Sequence, residues 1–413
     1  MTCARYHAQT AWLADQPAAD VLIEVANGRF TAVTAGVPAP PDATRLAGLT
    51  LPGLANAHSH AFHRALRGRT HAIGGTFWSW RDAMYALAAH LDPDSYLDLA
   101  TAAYAELALA GVTTVGEFHY LHHAPGGIPY ADPNAMGAAL IEAADRAGVR
   151  LTLLDTLYLT ASVDGGPLEG VQRRFGDRDL EAWAVRTADL AGSDRTRIGA
   201  AVHSVRAVPA GVLAEFAAHT KDRPVHLHLS EQPAENAACR ARHGMSPTAL
   251  LDTHGVLRPG TTAVHATHAA PADIGLLGRS GTGVCLCPTT ERDLADGLGP
   301  ARALADAGSP LSLGTDSHAV VDLFEEARAL EMHERLRTGR RGHFTAGELV
   351  RAASATGHAA CGFPDAGAIA VGARADLVAV RLDSPRTAGV DPATAVFAAT
   401  AADVPDVVVD GRP

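Results

Sequence analysis

Two histidines one residue apart, His58 and His60 in LPGLANAHSHAFHRAL (residues 51–66), follow an apolar run and carry the strongest chemical signal in the chain. On a strand, side chains at i and i+2 face the same way, so both imidazoles can reach one metal ion. An isolated HxH is a weak pattern, but two further apolar runs end in residues of matching chemistry. RPVHLHLSEQ ends in His228 and Glu231, and SPLSLGTDSH carries Asp316. Three imidazoles and a carboxylate can hold a divalent ion and leave a position for water, whose pKa then falls towards neutrality. Such water attacks an electrophilic carbon. Asp316 can accept its proton, Glu231 can carry a proton to a leaving nitrogen, and His265, behind another apolar run, can hydrogen-bond the developing tetrahedral centre.

Groups so far apart in sequence need a fold that gathers strand ends. Runs rich in β-branched residues recur at Leu51–His60, Val112–Tyr120, Val149–Tyr158, Arg197–Ser204, Pro224–Glu231, Thr262–His268, Gly283–Thr289 and Leu311–His318. Helical patterns separate them, such as SYLDLATAAYAELALAG and PNAMGAALIEAADRAG, stopped by Gly111 and Gly148. Eight strand–helix units over roughly 260 residues match an α/β fold of the (β/α)8 TIM-barrel type, whose strand C-termini converge on one mouth. His58, His60, Tyr120, His203, His228, Glu231, His265 and Asp316 all fall at such ends.

The termini read differently. DVLIEVANGRFTAV is two short strands about an Asn-Gly turn, and GAIAVGARADLVAVRL and DVVVDGRP alternate in the same way. The expected arrangement is a small structural β-sandwich from residues 1–48 and 364–413, beside a catalytic barrel of residues 49–363.

With 413 residues, 47% hydrophobic and 19% charged, the chain buries a large core and exceeds one ordinary domain. A net charge of −11 argues against nucleic acid or an anionic membrane as partner. No basic segment leads into an apolar one, and no uncharged apolar run reaches about 18 residues, so a cytoplasmic enzyme acting on a small molecule is expected. Five cysteines, Cys3, Cys239, Cys285, Cys287 and Cys361, are odd in number and lack paired spacing, which speaks against a disulfide framework. Cys285 and Cys287 are read as small apolar strand residues rather than ligands. Binuclear sites on such barrels commonly use a carboxylated lysine ending a central strand, and the single lysine, Lys221, precedes the fifth strand instead. One metal ion follows: Zn2+ by its nitrogen-rich donors, or another divalent ion such as Fe2+.

The segments HSHAFHRAL, FWSWRDAMY, EFHYLHH, QRRF, HSVRAV, HLHLSEQ, VHATH and LCPTTERDLADG, in this order, resemble the amidohydrolase superfamily and, in its deaminase branch, the formiminoglutamate deiminase family. The resemblance spans nearly the whole chain. It implies zinc-dependent hydrolysis of the imino nitrogen of N-formimino-L-glutamate, a step of histidine degradation, giving N-formyl-L-glutamate and ammonia. Carried over by position, the metal ligands are His58, His60, His228 and Asp316, and the catalytic residues are Glu231, His265 and Asp316. It also implies that Arg81, Tyr120, His203 and Arg206 line the substrate pocket, where a dicarboxylate needs fixed cationic groups. His63 stands where the family carries glutamine; histidine can still donate to a carboxylate, more strongly if protonated. A homodimer is the expected assembly.

Plainer readings compete at several positions. Arg81 could be a surface residue in the first turn of a helix opened by Ser79, although its framing by Trp78 and Trp80 favours the pocket. Of Arg173 and Arg174, at least one is expected to be solvated or ion-paired in a loop. His119, His122 and His123 are assigned to packing, since no carboxylate lies in that turn. A guanine- or adenosine-like base is the alternative substrate, with the 5% aromatic content counting against stacking. A non-catalytic scaffold is disfavoured because every proposed ligand is retained.

Overall fold

The computed structural model describes residues 3–70 and 75–413. The chain begins with strands β1 (Cys3–Leu13), β2 (Gln16–Ala26), β3 (Arg29–Thr34) and β4 (Thr44–Pro52). Eight parallel strands follow: β5 (Leu54–Ser59), β6 (Val112–His119), β7 (Arg150–Leu157), β8 (Thr196–Val202), β9 (Val225–Leu229), β10 (Thr261–His265), β11 (Gly283–Leu286) and β12 (Leu311–Leu313). They lie side by side in chain order, and each falls within or overlaps one of the eight runs expected from the sequence. Every residue of β6 and β7 is buried, as parallel strands covered by helices on one face and packed inside a barrel on the other require. The helix Pro93–Leu109 stops before Gly111 at φ +94°, and Ala135–Ala147 stops at Gly148 at φ +76°.

The chain returns through β13 (Leu377–Val380) and β14 (Asp406–Val408), which join the N-terminal strands in one six-stranded sheet, ordered β14-β13-β4-β1-β2-β3. Where the sequence suggested a sandwich, the hydrogen bonding describes this single sheet, with its own apolar cluster around Tyr6, Val21, Ile23, Phe30, Leu46 and Leu377. The Asn-Gly turn is present, with Asn27 and Gly28 both at positive φ. Strand β4 runs past residue 49 and pairs through Leu49–Pro52 with β13, so the first barrel strand begins at Leu54. Beneath the barrel, buried Arg150 on β7 pairs with Asp376 and, at 2.8 Å, with Asp410, tying the two sheets together. Among the described residues no helix is long and apolar enough to cross a membrane.

The barrel closes at its chemically important rim. Asp316 N donates to His58 O at 3.0 Å and His60 N to Asp316 O at 3.1 Å, joining the ends of β12 and β5 through the residues expected to bind metal. Gly314 permits this approach, since a Cβ there would lie 2.7–3.0 Å from His58 atoms, backbone included. Gly314→Ala should therefore push Asp316 away from His58. The expected result is a folded barrel with weakened metal retention, measured by metal analysis after dialysis; full retention would show that the seam can yield.

Candidate active site

Nine of the side chains singled out in the sequence, His60, His63, Arg81, Tyr120, His203, Arg206, His228, Glu231 and Asp316, line one cavity at the barrel mouth. His58 and His265 are fully buried beside it. Local backbone helps aim them: Ser230, His265 and Asp316 adopt φ of +49°, +71° and +43°, left-handed conformations at strand ends that persist only where their surroundings enforce them.

Four donor atoms converge. His228 Nε2 lies 3.3 Å from Nε2 of both His58 and His60, and Asp316 Oδ1 lies 3.4 Å from the same two atoms. His60 Nδ1 donates to Phe118 O and His228 Nδ1 to His203 O, both at 2.9 Å, which leaves their Nε2 atoms as lone-pair donors. Facing lone pairs at this distance repel unless a cation lies between them. Neighbouring donors around a divalent ion with bonds of about 2.0–2.2 Å lie about 3 Å or slightly more apart, so these four separations fit such an ion. Burial lowers His58 to about 3, His60 to about 4 and His228 well below its ordinary value, keeping all three neutral as ligands must be. Burial alone would raise the Asp316 carboxyl, yet the surrounding imidazoles, with cationic His265 3.7 Å away, hold it below the usual range.

Beside this cluster lies an acid–base pair. His265 Nε2 is 3.7 Å from both Glu231 Oε1 and Asp316 Oδ2, and its Nδ1 is 3.4 Å from Glu291 Oε1. Burial opposes charge on this ring, but Glu231, Glu291 and Asp316 together lift its pKa to about 10. Glu231 is raised by burial against the pull of His265 and Arg206. A carboxyl raised in this way holds a proton more readily than an exposed one, which suits it to general acid–base work.

Cationic groups face the same space. Arg206 is charged despite its burial because Glu235 and Glu231 stabilise it: Nε lies 3.3 Å from Glu235 and Nη2 4.0 Å from Glu231. Its Nη1 has no partner among the described residues. Arg81 stacks over Trp78 at 4.5 Å and Tyr85 at 5.4 Å, and its Nε has no partner among the described residues. The helix carrying it is opened by Thr76 rather than Ser79; Ser79 is the reciprocal partner of the cap three residues on. His63 Nε2 and the Tyr120 hydroxyl are 2.9 Å apart. Burial, reinforced by His60, keeps His63 far below its ordinary pKa, so it faces the cavity as a neutral ring and a protonated clamp is not what the site offers.

Other readings from sequence are refined. Arg173 is exposed, whereas Arg174 is buried and donates to backbone carbonyls. The carboxylate missing from the His119–His123 turn arrives from β7: Asp155 joins His119 and His122 within 4.8 Å. Asp155 accepts from Arg186 at 2.8 and 2.9 Å and from Trp183 at 2.9 Å, which commits it to packing. His318 bonds Ser59 and Thr315, buttressing the barrel seam. Cys287, treated as a strand residue, places its thiol within 4.8 Å of ligand atoms on His265 and Asp316. The four cysteines with described side chains are free and buried; the side chain of Cys3 lies outside the described set. Lys221 is exposed beyond the helix Ala210–His219. Sequence reasoning missed Tyr85, Tyr158 and Phe175 in the cavity, and Glu235 and Glu291 behind Arg206 and His265. Only the EQPAE and TTERD contexts of the two glutamates, just past strand ends, hinted at them.

A (β/α)8 barrel with histidines and an aspartate gathered at its C-terminal mouth defines a class of hydrolytic enzymes that use metal-activated water. Residues 49–413 match the model of the amidohydrolase family, and the chain belongs to that family. It is similar to formimidoylglutamate deiminase of Pseudomonas aeruginosa, at 38% identity over 94% of this chain and 90% of that protein. It is also similar to 8-oxoguanine deaminase of Pseudomonas aeruginosa, at 33% over 88% and 81%. Among solved structures, an amidohydrolase from Brucella melitensis superposes with a TM-score of 0.90 at 32% identity, covering 99% of this chain and 94% of that one. An adenosine deaminase from Xanthomonas campestris with bound zinc gives 0.83 at 26%, covering 99% and 92%.

Proposed function

We propose that this enzyme hydrolyses N-formimino-L-glutamate to N-formyl-L-glutamate and ammonia, as a step of histidine degradation. The observation that carries the reading is the placement of Arg206 and Arg81 on the same cavity as the histidine–aspartate cluster, inside a protein of net charge −11. A substrate with two carboxylates needs such fixed cations, and the similarity to formimidoylglutamate deiminase points the same way.

His58, His60, His228 and Asp316 would hold one zinc ion, which supplies a water of lowered pKa when bound. Glu231 takes a proton from the attacking water and delivers it to the imino nitrogen, giving a tetrahedral carbon that bears a hydroxyl and an amino group; the hydroxyl proton then passes to that nitrogen, so that the carbonyl forms as the carbon–nitrogen bond breaks and ammonia leaves. His265, held cationic by its carboxylate neighbours, donates to the oxygen as charge develops on it. Arg206 and Arg81, with Tyr120, His203 and His63, hold the substrate.

One observation favours a second reading, a deaminase of an aminated heterocycle. The cavity is lined by Phe77, Trp80, Tyr85, Tyr120, Tyr158 and Phe175, so the few aromatic residues are concentrated where a flat base would stack. Ammonia release separates the two. The expected result is turnover of N-formimino-L-glutamate well above the formimino derivatives of aspartate and glutamine, and above guanine or adenosine, with one zinc per chain by metal analysis. Preference for an uncharged base would overturn the assignment.

A further inference from the structure

The QRRF segment has no part in the mechanism above, yet it is built against the cavity. Buried Arg174 donates to His123 O at 2.7 Å, to Leu91 O at 2.6 Å, to Ala88 O and to the Tyr130 hydroxyl at 3.3 Å. These bonds fasten the turn Gly170–Arg174 to the end of the helix Phe77–Ala88 and so fix Gln172. Gln172 Nε2 lies 3.2 Å from the hydroxyl of Tyr85 and 3.2 Å from that of Tyr158. An amide nitrogen has two hydrogens and no free lone pair, so both phenol oxygens accept and each keeps its own hydrogen to donate elsewhere. Both rings line the cavity beside Arg206.

We propose that Tyr85, Tyr158 and Arg206 form a carboxylate subsite, in which Gln172 is a positioning residue that turns both phenol O–H groups towards one carboxylate of the substrate. The inference rests on the dicarboxylate reading above and deepens it. Gln172 acts only through the tyrosines. An amide turned the other way would consume both hydroxyl hydrogens, and Gln172→Glu imposes that state while adding a repelling charge.

The test uses the full-length, zinc-loaded enzyme with three substrates: N-formimino-L-glutamate and the formimino derivatives of 4-aminobutyrate and L-2-aminobutyrate, each of which lacks one carboxylate. Gln172→Leu should raise KM for formiminoglutamate roughly tenfold with kcat nearly unchanged, the scale of losing well-placed hydrogen bonds. Tyr85→Phe and Tyr158→Phe, which keep the rings packed, should raise it in the same sense, and Gln172→Glu should raise it further. With the analogue that lacks the carboxylate bound here, Gln172→Leu and wild type should become equal. Calorimetric binding of L-glutamate should weaken in parallel. If the wild type neither turns over formiminoglutamate nor binds glutamate, the functional reading fails. If it does both, the subsite is overturned by Gln172→Leu matching wild type, or by its being impaired alike on all three substrates.

Discussion

Glu231→Gln is expected to lower kcat by on the order of a hundredfold or more, the usual scale for removing a positioned proton-transfer group. The amide fills the same buried space at the end of β9, so fold and metal content should be unchanged. Glutamine can donate and accept hydrogen bonds but cannot carry a proton from the attacking water to the leaving nitrogen. A second effect accompanies the first: Glu231 is the neighbour that most raises the pKa of His265, so its neutralisation should let His265 lose its proton at a lower pH. Steady-state kinetics across pH, with metal analysis on the same preparation, checks both. Wild-type turnover in this variant would remove Glu231 from the proposed role.

Arg206→Ala should cost about 2–4 kcal/mol in kcat/KM for a dicarboxylate, the scale of deleting a charge-assisted partner in a buried site. The loss has two sources that can be separated. Arg206 would bind substrate, and it also neutralises Glu235, which accepts from Ser230 N at 2.9 Å and is 2% exposed. Removing the guanidinium alone leaves that carboxylate buried without its cation, which is destabilising in its own right. Arg206→Ala combined with Glu235→Gln should therefore recover thermal stability relative to the single variant while kcat/KM stays low. Recovery of both would mean that Arg206 serves only to hold Glu235.

The eight strands were legible because buried parallel strands are written as short β-branched runs, and such runs survive without any knowledge of their neighbours. The strand-end rule then carried His58, His60, His228, Glu231, His265 and Asp316 to one rim, since barrel topology leaves those positions nowhere else to point. Where a boundary depended on pairing, periodicity was insufficient. Residues 49–52 look like the start of the first barrel strand, and only pairing with β13 assigns them to the terminal sheet.

What the residue types and their order determined by themselves was the barrel and the gathering at its mouth of the residues read as metal ligands and proton carriers, because each follows from local pattern plus one topological rule. Tertiary structure alone decided the rest. The six aromatic side chains of the cavity come from four separate segments, and a whole-chain composition cannot show that they meet. Asp155 completes the environment of His119 and His122 from a neighbouring strand, and Gln172 reaches Tyr85 and Tyr158 across long loops. Partner identity in a buried polar site depends on distances of a few tenths of an ångström between segments remote in sequence, and no local spacing encodes them.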